Sequence, residues 1–122
     1  MTKNSYDKSN VFAKLLRNEV KSSPVYESEH TLAFNDIYPC APIHILVIPK
    51  GEFQNFSDFM TNASGDKVTD FWQTVNFIIK KYNLEEDNGY RIVTNCGING
   101  GQTVGHFHVH IMAGKELVKQ FC

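Results

Sequence analysis

The stretch from Asn95 to Gly114, NCGINGGQTVGHFHVHIMAG, constrains the fold of this chain more than any other. His106, His108 and His110 are separated by Phe107 and Val109 and followed by Ile111 and Met112. Alternation is the period of a β-strand, whose successive side chains point to opposite faces. The three histidines then share one face, and Phe107, Val109 and Ile111 share the other. The loop ahead, Gly97 to Gly101, carries three glycines and an asparagine, which lets backbone approach a ligand closely. A glycine-rich loop feeding an imidazole-lined strand suggests a site for an anion or a metal.

Three readings compete. A single histidine is usually a satisfied core or surface residue. Three on one face of one strand are harder to explain that way, because each polar tip needs a partner. Zinc is the second reading. Same-face neighbours on a strand sit roughly 6.6 Å apart, whereas zinc holds its nitrogens at ~2.0–2.1 Å. Two of the three histidines can converge on one ion, all three span roughly 13 Å, and no Cys-x-x-Cys pair is present. The third reading is nucleophilic and acid–base work on a phosphate, where a row of imidazoles need not converge on a point.

HFHVHIM matches the histidine triad motif, His-φ-His-φ-His-φ-φ with φ hydrophobic, at every position. With GGQTV before it and DIYPCAPIHILVIPK upstream, the chain resembles the histidine triad family of nucleotide hydrolases and transferases from about Val11 to Gly114. VFAKLL and DIYPCAP are most similar to the Hint branch, the nucleoside phosphoramidases. GQTV is shared with the dinucleoside polyphosphate hydrolases, since Hint proteins more often have Ser where Thr103 stands.

The composition fits a single soluble domain. A chain of 122 residues has no room for two cores, and 42% hydrophobic with 20% charged residues is ordinary for a globular protein. A net charge of −1 argues against nucleic acid or an anionic membrane surface as partner. No apolar run approaches the ~20 residues of a membrane span. The polar start, MTKNSYDKSN, is not a secretory signal. Cys40, Cys96 and Cys122 lack a metal-binding spacing and read as reduced thiols, hence a cytoplasmic protein. Cys96 reads best as a small buried residue.

In chain order, residues 1–9 read as a disordered lead-in, 10–114 as one domain and 115–122 as a tail that matches no pattern. Asn10 is a plausible N-cap for a helix through Asn18, with Val11, Phe12, Leu15 and Leu16 on one side. Val25–Glu29 and Thr31–Asn35 read as strands turning at Glu29-His30, and His30 has no assigned chemistry. His44–Ile48 reads as a strand buried on both faces, so His44 needs a partner, and the triad strand is the obvious place for one. Glu52–Thr61 suits a helical turn or two on the core. Asp66 or Ser64 caps a helix to about Tyr82 whose Val68, Phe71, Trp72, Val75, Ile78, Ile79 and Tyr82 form a stripe. Leu84–Asn88 is a charged turn, and Tyr90–Thr94 alternates as a strand. The class is α+β, a five-stranded antiparallel sheet with two principal helices. Apolar edges of such a small sheet need cover, and the family solution is a homodimer whose sheets join.

The resemblance also implies a site. His108 takes the place of the nucleophile, attacking the α-phosphorus of a nucleoside monophosphate that bears a leaving group. His110, His44, Gln102 and Thr103 bind the non-bridging oxygens or the leaving atom, and His106 completes the triad. Asn95 and the Gly101–Gln102 backbone steady the phosphate. Asp36 accepts the ribose hydroxyls, and Val11, Phe12, Leu15, Phe34 and Ile37 form a slot for a purine such as that of AMP. No metal or cofactor is called for. Two imidazolium charges ~6.6 Å apart at an effective dielectric near 20 repel by roughly 2.5 kcal/mol, so neighbouring rings should hold one another neutral. The implied enzyme is a purine nucleoside phosphoramidase. The alternatives are a dinucleoside polyphosphate hydrolase and a nucleotide-binding module without turnover.

Overall fold

The computed structural model describes residues 5–117. Its elements run α1 (Val11–Leu16), β1 (Pro24–Glu27), β2 (Thr31–Asn35), β3 (Ile43–Pro49), α2 (Phe56–Asn62), α3 (Gly65–Lys81), β4 (Tyr90–Val93), α4 (Gly97–Gly100) and β5 (Val109–Ala113). The strands form one antiparallel sheet in the order β1-β2-β3-β5-β4. The expected α+β class and five-stranded antiparallel sheet are therefore present.

Local chemistry sets the helix starts. Asn10, Asn55 and Ser64 each accept a backbone N–H from the first turn of α1, α2 and α3, from Ala13, Asp58 and Lys67 respectively. The last of these decides the cap of α3 in favour of Ser64 over Asp66. Helix α3 lays Phe71, Val75, Ile78 and Ile79 on the sheet. Asp70, one residue before that stripe, accepts bonds from Ser28 Oγ, Thr31 Oγ1 and the His30 N–H at 2.6, 2.7 and 3.2 Å. It thereby pins α3 to the β1–β2 turn.

The two faces of the sheet differ. Ile45 and Val47 of β3 and Val109 and Ile111 of β5 point to the α3 side and pack with Phe59, Phe71 and Phe107. Leu46 and Ile48 point the other way, to Phe12 and Leu15 of α1 and Phe34 of β2. His110 pairs in register with Leu46, and His44 with Met112, which places His44 and His110 on the α1 side.

Several boundaries depart from expectation. Regular strand begins only at Val109, so His106, in a bend, and His108 both lie ahead of β5. The glycine loop is partly a helical turn, closed by Gly97 and Gly101 at φ 67° and 77°, values that favour glycine. Helix α2 begins at Phe56, not Glu52. Leu84, in the expected charged turn, is fully buried, while Cys96, expected to be buried, is exposed.

The N-terminal lead is also corrected for residues 6–9; residues 1–4 lie outside the described residues. Arg17 Nη1 donates to the Lys8 carbonyl at 2.9 Å, Asn10 Nδ2 donates to the Asp7 carbonyl at 2.7 Å, and Lys8 Nζ lies 3.9 Å from Glu52. At the other end, Leu117 packs on Ala41 and Met112 and its carbonyl accepts from Arg91. The rest of the tail, 118–122 with Cys122, lies outside the described residues. No helix among the described residues is long and apolar enough to cross a membrane.

Candidate active site

The alternation of HFHVHIM carries through into space. Phe107 and Val109 are fully buried in the α3-side core, and Phe107 stacks against Phe59. The histidines face α1: the His108 ring lies 5.0 Å from Phe12 and 5.1 Å from His110, which lies 5.2 Å from His44. Buried imidazoles need partners for every polar atom, and those partners assign the tautomers.

The Cys40 N–H donates to His44 Nδ1 at 2.9 Å. A nitrogen that accepts cannot carry a proton, so His44 is neutral with its proton on Nε2. That Nε2–H points to His110 Nδ1 at 2.9 Å, with Asp36 Oδ2 at 3.3 Å. The Asp36 contact is therefore a hydrogen-bond contact to a neutral ring and not an ion pair. Burial lowers the pKa of His44, with the Asp36 charge opposing, which agrees with the neutral assignment. Because His110 Nδ1 accepts, its proton lies on Nε2.

His108 has the opposite arrangement. Its Nδ1–H donates to the His106 carbonyl at 2.7 Å, and its own carbonyl accepts from Thr94 Oγ1 at 2.8 Å. Nε2 is left as the lone-pair nitrogen. The His106 ring is fully buried; Nε2–H donates to the Pro49 carbonyl at 2.8 Å and Nδ1 accepts from Tyr6 Oη at 2.5 Å.

All four rings titrate below the usual histidine range. Burial is the main cause in each case. His106 and His110 fall to about 4, with the His108 charge adding to both and the His44 charge to His110. Mutual repulsion, expected from the spacing to be the dominant cause, is secondary to loss of water.

The other expected site residues divide. Phe12, Leu15 and Phe34 are buried against one another under α1, while Val11 and Ile37 present open apolar surface, Ile37 at 75% exposure. Asp36 lies beside His44: its N–H donates to the His44 carbonyl at 3.0 Å and its Oδ1 accepts from the Tyr38 N–H at 2.8 Å. Asn95 Nδ2 donates to the Gly100 carbonyl at 2.7 Å, tying off the glycine turn.

Gln102 is not a free donor. Its Nε2 donates to the carbonyls of Gln54 and Val104 at 2.7 and 3.0 Å, and its Oε1 accepts from the Gly97 N–H at 3.2 Å. It couples the glycine turn to the chain before α2, so the expectation that its side chain meets a phosphate is corrected to a scaffolding role. Gly101 and Thr103 are exposed.

The zinc geometry is not the one expected of the triad. Ligand atoms of Asp36, His44 and His110 lie within 4.8 Å of one another, so these three are the set suited to an ion, with His44 in place of a second triad histidine. Seating an ion there breaks the His44–His110 hydrogen bond.

Tyr6 is the site residue that sequence reasoning missed. The only signal was one aromatic in a polar lead just before an N-cap. A surface depression of about 400 Å³ lined by Asp87, Asn88, Gly89, Gly114, Lys115 and Glu116 lies at the far end of β5 from His108 and contains none of the histidines.

The comparisons with known proteins agree with this geometry. A family model described as HIT domain matches residues 17–117. An uncharacterised HIT-like protein of Rickettsia prowazekii is 43% identical over 113 residues, covering 93% of each chain. Among solved structures, a HIT family hydrolase from Clostridium thermocellum superposes with TM-score 0.77 at 34% identity, over 90% of this chain and 94% of that one. A histidine triad nucleotide-binding protein from Candida albicans gives TM-score 0.78 at 31% identity, over 88% of this chain and 76% of that one. With the triad in place and nearly the whole chain matched, the protein belongs to the HIT domain family.

Proposed function

We propose that the protein is a nucleotide hydrolase that cleaves purine nucleoside phosphoramidates, or closely related nucleotides, at the α-phosphate through a nucleotidyl-histidine on His108. The observation that carries this reading is the His108 ring: buried, neutral, and held by Nδ1–H to the His106 carbonyl so that the Nε2 lone pair is the reactive atom. Two similar solved proteins, described as a HIT family hydrolase and a histidine triad nucleotide-binding protein, support the class of ligand and reaction.

His108 Nε2 attacks the α-phosphorus. The bond from phosphorus to the leaving amine breaks, and that nitrogen takes up a proton from solvent water as it departs. Water then attacks the same phosphorus and gives its proton back to solvent, the P–Nε2 bond breaks, and the nucleoside monophosphate leaves with the ring neutral again. His110 Nε2–H, fixed by His44 behind it, is the donor suited to the non-bridging oxygens. Asp36 takes the ribose hydroxyls through the lone pairs not used by Tyr38, and Val11 and Ile37 present apolar surface to the base. No step calls for a metal.

The protein acts as a homodimer in a reducing cytoplasm. Tyr90 and Ile92 on the edge strand β4 are half exposed, apolar surface that pairing with a second copy would cover. Cys40 and Cys96 are free thiols.

The test is to quench the protein during turnover of an adenosine phosphoramidate and locate the adduct by mass spectrometry. A mass increment of AMP on His108 is expected. Turnover with no adduct on the peptide spanning the triad, or equal rates for wild type and His108→Asn, removes the reading.

A further inference from the structure

Tyr6 lies outside the segment that carries the family's motifs, yet its hydroxyl reaches a triad histidine. The His106 ring has no exposure to water, so each of its polar atoms must find its partner within the protein. Pro49 takes the Nε2 proton, and the carbonyl of His106 takes the Nδ1 proton of His108. What remains is the Nδ1 lone pair, and Tyr6 Oη is the group that meets it, at 2.5 Å with the two rings edge to face.

The direction of that bond is set on the other side of the ring. The Pro49 carbonyl can only accept, so His106 carries its proton on Nε2 and a lone pair on Nδ1. The Tyr6 hydroxyl is then the donor, its proton directed at His106. Tyr6 is itself half-buried and held by the strap of residues 6–10, which Arg17 and Glu52 tie to the domain.

We propose that Tyr6 is a positioning residue of the active site: through its hydrogen bond to His106 it fixes the histidine whose carbonyl orients the nucleophile, so the segment before α1 is part of the catalytic architecture. The inference rests on the reading of His108 as nucleophile. The relay runs from Tyr6 Oη–H to the His106 ring, and from the His106 carbonyl to His108 Nδ1–H. Removing the Tyr6 hydroxyl orphans a buried acceptor one residue pair from the reactive ring. The binding surfaces at Asp36, Val11 and Ile37 stay intact. The cost therefore falls on orientation in the chemical step and not on affinity.

The experiment pairs Tyr6→Phe with imidazole nitrogen NMR and steady-state kinetics on an adenosine phosphoramidate. Nδ1 of His106 should move toward the resonance of a free imine-type nitrogen, and His108 should lose its pure Nδ1–H tautomer. The kcat should drop by about tenfold with KM and AMP affinity unchanged. An unmoved His106 resonance overturns the proposal, as does a moved resonance with unchanged kcat. If the wild type shows no turnover, it is the assigned function that fails. The His108 tautomer then decides the role of Tyr6: a pure Nδ1–H signal in Tyr6→Phe overturns it, and a mixture upholds it. Should Tyr6→Phe fail to fold, 3-fluorotyrosine at position 6 keeps the ring and makes the hydroxyl a stronger donor. His106 Nδ1 should then shift the opposite way, and no shift overturns the proposal.

Discussion

Along β5, Val109 and Ile111 point toward α3 while His110 points toward α1, and the same division runs through β3 between Ile45 and Val47 on one side and His44 on the other. The α3 side is filled by aromatic and branched side chains, Phe59, Phe71 and Phe107 among them, at essentially zero exposure. The α1 side buries His106, His108 and His44 nearly as deeply. Apolar burial stabilises the fold at about 25 cal/mol per Å². Histidine burial costs solvation and is tolerated only because each ring nitrogen that faces protein is hydrogen-bonded. Depth of burial is therefore similar on both sides while its consequence differs: the α3 side supplies stability alone, and the α1 side, beyond its own cluster of Phe12, Leu15, Phe34, Leu46 and Ile48, fixes the protonation state of the histidines.

Four measurements can break or sharpen that contrast. The largest effect should come from His108→Asn, which removes the nitrogen proposed to attack. Turnover should fall by roughly 10³-fold or more, with AMP binding retained and the melting temperature little changed. A collapse in stability instead would mean that the histidine side is structural. Next, Phe59→Ala on the α3 side should cost about 3–5 kcal/mol in urea unfolding, with the activity of the remaining folded fraction intact; loss of turnover without loss of stability would reverse the division.

Acid comes third and, between pH 6.5 and about 4, acts mainly on the histidine side. His106 titrates near 4 in the folded protein against about 6.5 unfolded. Because the folded value is depressed, the unfolded chain binds the proton first as pH falls. The contribution is whole above pH 6.5 and is lost on the way down to about 4, roughly 3 kcal/mol from this ring. Urea titrations at stepped pH should show that loss, with the same slope in Phe59→Ala. Turnover, which in the proposed mechanism needs neutral His108, should stay level above pH 6.5 and fall only in more acid solution, since burial lowers that pKa too. A rate still level at pH 4 contradicts the neutral nucleophile. The smallest effect belongs to Asn55→Ala, which strips the cap of α2. It should cost about 1 kcal/mol with no change in kcat, and a kinetic effect there would show that the two sides are coupled.

Much of this was legible from local pattern. The two-residue period of HFHVHIM separated the faces correctly, and the three-four spacing from Val68 to Ile79 located α3. Leu84 escaped because its neighbours are charged and its burial depends on the chain folding back after α3. Gln102 looked like a free donor because nothing local shows that the Gln54 and Val104 carbonyls will meet its amide. The histidine pKa values were assigned the right direction from the wrong leading cause, since spacing reveals charge neighbours while burial is set by the rest of the fold.

Residue periodicity and the triad motif by themselves determined the fold class, the face that carries the histidines and the family, because those depend on side-chain order along an extended chain. Only the tertiary structure decided which nitrogen of each ring bears the proton. That choice is made by the Cys40 N–H, the Pro49 and His106 carbonyls and the Tyr6 hydroxyl. These groups come from the N-terminal strap, from the chain just before β3, from the last residue of β3 and from the approach to β5. A buried imidazole takes the tautomer its surroundings can satisfy, and those surroundings exist only once the strands have paired.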